Sequence, residues 1–130
     1  LDFKLKKINF FINARRQIAR IYNKELSNTT LKIPSITKNE FDVFHLYTVY
    51  HSKRDSIIKK LYQAGIETRI IYPYPIHLMK GYRKYFDKKK YEISEKYSKG
   101  IFSLPLYPEL KKKSVLKICN ELKKILDNEK

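Results

Sequence analysis

An α+β fold is predicted for this chain: one small three-stranded sheet with helices packed on one face. Three observations lead there. Helical and strand-like segments alternate along the sequence, the strands are few and short, and a long loop from Pro73 to Lys90 breaks the regular rhythm that parallel βαβ units require. The 130 residues, 42% of them hydrophobic, suit a single compact domain over 1–130 with a real core.

The elements follow in order. Leu1, Leu5, Ile8, Ile12, Ala19, Tyr22 and Leu26 step by three and four, which predicts one long amphipathic helix with a gap in its stripe at Arg15. Phe10, Phe11 and Ile18 widen that stripe; Ser27 to Thr30 stop the helix, and Pro34 keeps the next stretch extended. Val43 to Tyr50 is uncharged, β-branched and aromatic, the pattern of a strand covered on both faces. Ser52 stands three residues before Asp55 as an approximate capping box, Ile57, Ile58 and Leu61 follow at helical spacing, and Gly65 is placed to end that helix. A second strand over about Glu67 to Tyr72 runs into Pro73 and Pro75. A short helix from Glu92 to Lys99 closes at Gly100, and Ile101 to Leu104 is the third strand, ended by Pro105. Val115, Ile118, Cys119, Leu122, Ile125 and Leu126 line one side of a last helix.

Composition excludes several function classes. Gly65, Gly81 and Gly100 lie far apart, so no Gly-rich phosphate loop exists. A lone Cys119 excludes disulfide frameworks and cysteine zinc sites and suits a reducing compartment. No apolar run approaches the ~20 residues that span a bilayer, and no secretory core follows the basic start, so the cytoplasm is the expected location and no membrane partner is expected. The chain opens on Leu1, and its only methionine is Met79, so it is read as a fragment of a longer protein.

Twenty-nine Lys and Arg against 13 Asp and Glu give a formal charge of +16. Aromatics and cations interleave most densely from Tyr82 to Tyr91, a composition that can hold single-stranded nucleic acid by stacking and phosphate contact. The blander reading, a solvated loop whose tyrosines lean on the core, is favoured, because no RNP, zinc-finger or helix-turn-helix pattern accompanies the run. The Lys59-Lys60 and Lys123-Lys124 doublets fall on the polar sides of predicted helices.

Hydrolytic chemistry is weakly represented. His45, His51 and His77 lack any H-E-x-x-H spacing, and His45, mid-strand, reads as a core histidine. Ser103 has no elbow glycines, the carboxylates read as solvated partners of lysine, and no acid–base pair or metal set emerges. The segment Gly65 to His77 differs. A helix end, a short strand and two prolines make a stiff loop with polar tips, the kind of place where ligand groups are mounted. Alternatively, Tyr72 and Tyr74 cap the core and His77 faces solvent. Composition leaves both open.

That segment, Gly65-Ile66-Glu67-Thr68-Arg69-Ile70-Ile71-Tyr72-Pro73-Tyr74-Pro75-Ile76-His77, resembles the G-I-x-T-x-x-H-Y-P-x-P-x-H motif of the DegT/DnrJ/StrS-family nucleotide-sugar aminotransferases. Three further blocks agree in order. Arg15 to Tyr22 resembles the family's R-R-x-x-A-x-x-Y helix. His45 to Val49 with Arg54-Asp55 resembles its strand-to-helix step, and Glu95 to Leu110 resembles its E-x-x-S…S-L-P-x-Y-P-x-L block. Together the four blocks cover nearly the whole chain.

The resemblance implies the C-terminal small domain of an aspartate-aminotransferase-like fold type I enzyme. Such an enzyme is pyridoxal-phosphate-dependent and moves an amino group, usually from glutamate, onto a nucleoside-diphosphate keto-sugar in amino-sugar biosynthesis. The large cofactor-binding domain with the Schiff-base lysine is expected to be absent from this chain. No catalytic, cofactor-binding or metal residue is therefore nominated, and the chain alone is expected to be inactive. The small domain covers the active site in this family, whose members are homodimers with sites at the subunit interface. Carried over by position, Tyr72, Pro73 and His77 are the substrate-binding residues. Arg69 joins them as a group suited to a phosphate or carboxylate, with surface packing as its alternative. Lys80 and Arg83 are weaker candidates for a diphosphate. Ile71 stands where the family has its first histidine, so any contact of that imidazole is missing here. Arg15 and Arg16 read as structural. A stand-alone basic nucleic-acid module and a degenerate regulatory family member are the alternative functions.

Overall fold

The computed structural model describes residues 2–35, 40–86 and 90–128. In chain order these form α1 (Asp2–Leu5), α2 (Ile8–Leu26), β1 (Tyr47–Tyr50), α3 (Arg54–Gln63), two 3-10 turns (Ile76–Leu78 and Arg83–Tyr85), α4 (Glu92–Gly100), β2 (Ile101–Leu104) and α5 (Lys112–Asp127). The sheet contains two strands, not the three expected. β1 and β2 pair antiparallel, with Tyr47 opposite Leu104 and Val49 opposite Phe102.

The expected strand Glu67 to Tyr72 is reduced to one isolated bridge between Arg69 and Ser103 on the outer edge of β2. The register explains why. The next hydrogen-bonded pair in one direction would set Glu67 against Pro105, which has no N–H to give. In the other direction Ile71 would face Ile101, but Pro73 already turns the chain away. A bridge that the sequence did not announce, Lys32 to Tyr50, borders β1 on its free edge.

Two further expectations are corrected. The long N-terminal helix is divided, since α1 ends at Leu5 and α2 begins at Ile8. Leu5, Ile8 and Phe10 are exposed at this end, so no core contact holds the expected continuous stripe together. β1 also starts four residues late. Asp42 Oδ1 accepts the Phe44 N–H at 2.7 Å, and Phe44 takes a left-handed φ of 49°, a kink that keeps the preceding residues out of the ladder. His45 consequently sits outside the strand and is exposed, not a core histidine.

Period-two alternation turns Tyr47 and Val49 to one face of the sheet and Thr48 and Tyr50 to the other. On the first face α2 lays Tyr22 on Tyr47, ring centroids 4.8 Å apart, and Phe102, Leu61, Cys119 and Leu122 join them in one core. The sequence-predicted stripe of α5 is that core's floor: Val115, Ile118, Cys119, Leu122, Ile125 and Leu126 are all buried. The opposite face is not bare, however. The Tyr97 ring of α4 meets Tyr50 there at 4.9 Å, so the helices do not all share one face. Arg16 fulfils the structural role expected of it, donating to the Asp42 carbonyl at 2.6 Å and stacking its guanidinium 4.0 Å over Phe41. Arg15 shows no such bond: its Nε is buried without a partner among the described residues.

Two buried hydroxyls are satisfied inside the core. Tyr22 donates to the Pro105 carbonyl at 2.8 Å, and Tyr47 donates to Asn23 Oδ1 at 2.5 Å. Burial pushes both phenols far above their ordinary range and raises the Cys119 thiol to about 11. The sign of the consequence is fixed by linkage. An acid whose pKa is raised on folding gives its full stabilisation below its unfolded pKa and loses it as pH climbs through the folded value. Stability should therefore decline from about pH 9 upward, as the unfolded chain ionises Cys119 and then the tyrosines while the native core holds them neutral. Urea midpoints measured between pH 7 and 11 test this; a flat profile would mean that the core admits water at these groups.

Candidate functional site

The loop that carries the predicted site residues starts at a left-handed glycine. Gly65 has φ of 74°, with open space around it, and donates its N–H to the Tyr62 carbonyl while Ile66 N–H reaches Leu61 O at 2.9 Å. Ile66 is buried, and three residues later Arg69 is pinned to Ser103 by two backbone bonds, 3.1 and 2.8 Å. Beyond Arg69 the chain leaves the sheet. Tyr72 and Tyr74 stand out at 63% and 66% exposure, with Pro73 exposed between them. Pro75 is buried again, and the two 3-10 turns follow, each stabilised by local bonds such as Leu78 N–H to Pro75 O at 3.0 Å.

The four predicted residues therefore do not converge. Arg69 presents an exposed guanidinium, paired with Glu67 at 3.2 Å, on the wall of a cleft of about 590 Å³ that Thr68, Ile71, Ser103, Tyr107 and Lys117 also line. Thr68 Oγ1 is buried there without a partner among the described residues. Tyr72 and Pro73 form the crest of the loop beside this cleft. His77 is turned inward. Only 8% exposed, it sets Nε2 at 3.2 Å from Glu95 Oε1, and its ring packs on Tyr91 at 4.7 Å and edge-on to Phe86 at 6.2 Å. It neither faces solvent nor offers that nitrogen to a ligand.

Glu95 is the site-related residue the sequence reading missed, having treated the carboxylates as partners of lysine. Its hydrogen bond from His77, and secondarily one from the Tyr91 backbone N–H, hold its carboxyl below the usual carboxylate range. Its place in the E-x-x-S block was the available signal, but nothing local links residues 18 positions apart. The basic run behaves in part as the blander reading expected: Tyr91 folds back on His77, whereas Tyr82 and Tyr85 are exposed. Asp87, Lys88 and Lys89 lie outside the described residues.

None of the described lysines is buried, and the cleft's cations are the exposed side chains Arg69 and Lys117. An aldehyde cofactor needs a desolvated amine and a phosphate cradle. The described residues do not fit such a group. Among them, too, no helix is long and apolar enough to cross a membrane, and no group of three His, Cys, Asp or Glu is placed to hold a metal.

Superposed on solved structures, the two-stranded layer with its helices and crested loop has the fold of part of an aminotransferase. It superposes with a TM-score of 0.90 and 28% identity on a DegT DnrJ EryC1 StrS aminotransferase from Brucella abortus, covering 97% of this chain and 34% of that one. NtdA from Bacillus subtilis, solved with its cofactor PMP bound, shares the fold at a TM-score of 0.79 and 21% identity over 90% of this chain and 28% of its own. In sequence the chain is 34% identical over 113 residues to dTDP-3-amino-3,4,6-trideoxy-alpha-D-glucose transaminase of Micromonospora megalomicea subsp. nigra, covering 82% of this chain and 30% of that enzyme. Residues 1–123 match the DegT/DnrJ/EryC1/StrS aminotransferase family, and the chain belongs to that family. It spans about a third of the length of the relatives it matches.

Proposed function

We propose that this chain is the C-terminal small domain of a pyridoxal-phosphate-dependent aminotransferase that aminates a nucleoside-diphosphate keto-sugar, with glutamate as donor. The observation that carries this reading is the family match over residues 1–123, with the family's loop motif standing as an exposed crest. The chain's share of its relatives' length supports assigning the cofactor and its Schiff-base lysine to the rest of the enzyme. Pyridoxal phosphate supplies the electron sink for amino transfer.

This chain's residues then bind and orient the sugar nucleotide. Tyr72 offers a phenol on a partly apolar body, suited to sugar hydroxyls and ring faces. Pro73 fixes the backbone that carries it. Arg69 provides the fork that a diphosphate or carboxylate takes. His77 supports the crest from behind. Tyr74, Ile76 and Leu78 are exposed apolar side chains suited to a second subunit of a homodimer, and the protein works in the cytoplasm.

The test uses the full-length protein, following glutamate-dependent amination of nucleotide keto-sugars. Tyr72→Phe and Arg69→Ala should each raise the sugar KM about tenfold, the loss of one hydrogen bond to a charged or buried polar partner. The KM for glutamate should stay unchanged. Amination by the 130-residue chain alone, or binding of single-stranded nucleic acid that weakens steeply with salt, would sink the proposal.

A further inference from the structure

The crest between Arg69 and His77 is a span held at its two ends. At the first end Arg69 and Ser103 exchange two backbone bonds. Residues 70–74 then make no backbone hydrogen bond with described residues, so Tyr72 and Tyr74 take their positions from the prolines and from the anchors. At the far end His77 Nε2 meets Glu95 Oε1 at 3.2 Å.

That oxygen also accepts the Tyr91 N–H at 3.2 Å, at the start of α4. One atom thus joins the loop's histidine to the first turn of a helix, and the rings of Tyr91 and Phe86 cover the histidine. The two anchors share one body. α4 runs through Gly100 directly into β2, so Glu95 and Ser103 ride on a single continuous segment. Apart from the buried Pro75, no backbone hydrogen bond among the described residues fixes the span between the anchors, so a shift of His77 is passed through Pro75 toward the tyrosines.

We propose that Glu95 is a positioning residue of the substrate site: by holding His77 it fixes the far end of the 70–76 span and sets where Tyr72 meets the sugar. This rests on the aminotransferase reading above. A side chain that merely stabilises α4 would weaken the whole enzyme evenly. A positioning residue acts on the sugar step and leaves the amino-donor step alone.

The experiment compares full-length wild type, Glu95→Ala and Glu95→Gln. Glutamine keeps a carbonyl oxygen able to accept from both His77 and Tyr91; alanine removes it. Glu95→Ala should raise the sugar KM about tenfold, leave the half-reaction with glutamate alone unchanged, and speed amide exchange over 78–86, where the hydrogen-bonded amides behind the crest lie. Glu95→Gln should restore both readouts to within about twofold. Equal losses in both half-reactions, or unchanged sugar KM and exchange, would overturn the proposal. Should Glu95→Ala not fold, Glu95→Asp keeps the charge, shortens the reach and carries the same comparison. A wild type that aminates no nucleotide sugar defeats the aminotransferase reading by itself. Exchange over 78–86 still judges the tether in that case: faster in Glu95→Ala and reversed in Glu95→Gln supports it, and unchanged exchange overturns it.

Discussion

Phe102→Ala should lower the stability of the folded chain by about 3–5 kcal/mol, the range for removing a buried aromatic ring and leaving a cavity. Phe102 is 1% exposed and stands directly opposite Val49, also 1% exposed, in a sheet of only two strands. A two-stranded ribbon is marginal by itself, so its persistence depends on what its core face packs against. The neighbours have little freedom to fill the space. Tyr22 and Tyr47 are held by hydrogen bonds at their hydroxyls, and shifting either ring inward would leave the Pro105 carbonyl or Asn23 without its partner. The matched control is Phe3→Ala, at a ring 70% exposed, which should stay within about 0.5 kcal/mol. Urea unfolding of the two variants checks both figures; a Phe102→Ala loss below that of a surface change would mean that the β1–β2 ribbon is not seated on the helices.

What the sequence revealed and what it hid follow from the range of each signal. α5 was legible because its six buried residues recur at helical spacing within one element, and Gly65 was legible because a left-handed helix end needs so little context. The third strand was not, because its failure depends on Pro105 standing opposite Glu67, a register fact invisible along one stretch of chain. His45 was misplaced for a similar reason: its β-rich surroundings give no sign that Asp42 will cap the Phe44 N–H and kink the entry. The site was half legible. The loop motif named Tyr72, Pro73 and His77, and Arg69 was added for its guanidinium, but motif letters carry no direction. That His77 turns inward is decided by Glu95 and by the rings of Tyr91 and Phe86, all supplied from beyond the motif.

The same long-range logic makes Gly100 the most sensitive glycine. Gly100→Ala should cost about 1–3 kcal/mol by overpacking, even though its backbone, unlike that of Gly65, has no positive φ. An added Cβ would fall 2.4 Å from Tyr50 Cε2, 2.7 Å from Cδ2 and 2.8 Å from the His51 carbonyl oxygen. The first two are ring atoms backed by Tyr97 at 4.9 Å, with Lys32 Nζ also over the Tyr50 ring at 5.5 Å, so the ring cannot swing aside freely. The third is backbone, and His51 N–H in turn donates to Gly100 O at 3.0 Å, so a shift there strains the strand pair itself. Gly81→Ala, where nothing lies within 4 Å of the new carbon, should be neutral to about 0.5 kcal/mol. Because Gly100 joins α4 to β2, the relaxation it forces must move Glu95 and Ser103 relative to each other. Gly100→Ala should therefore speed amide exchange over residues 78–86 as well as lower the urea midpoint. A variant that loses stability while that exchange stays at the wild-type rate would show that the crest is held independently of the α4–β2 junction.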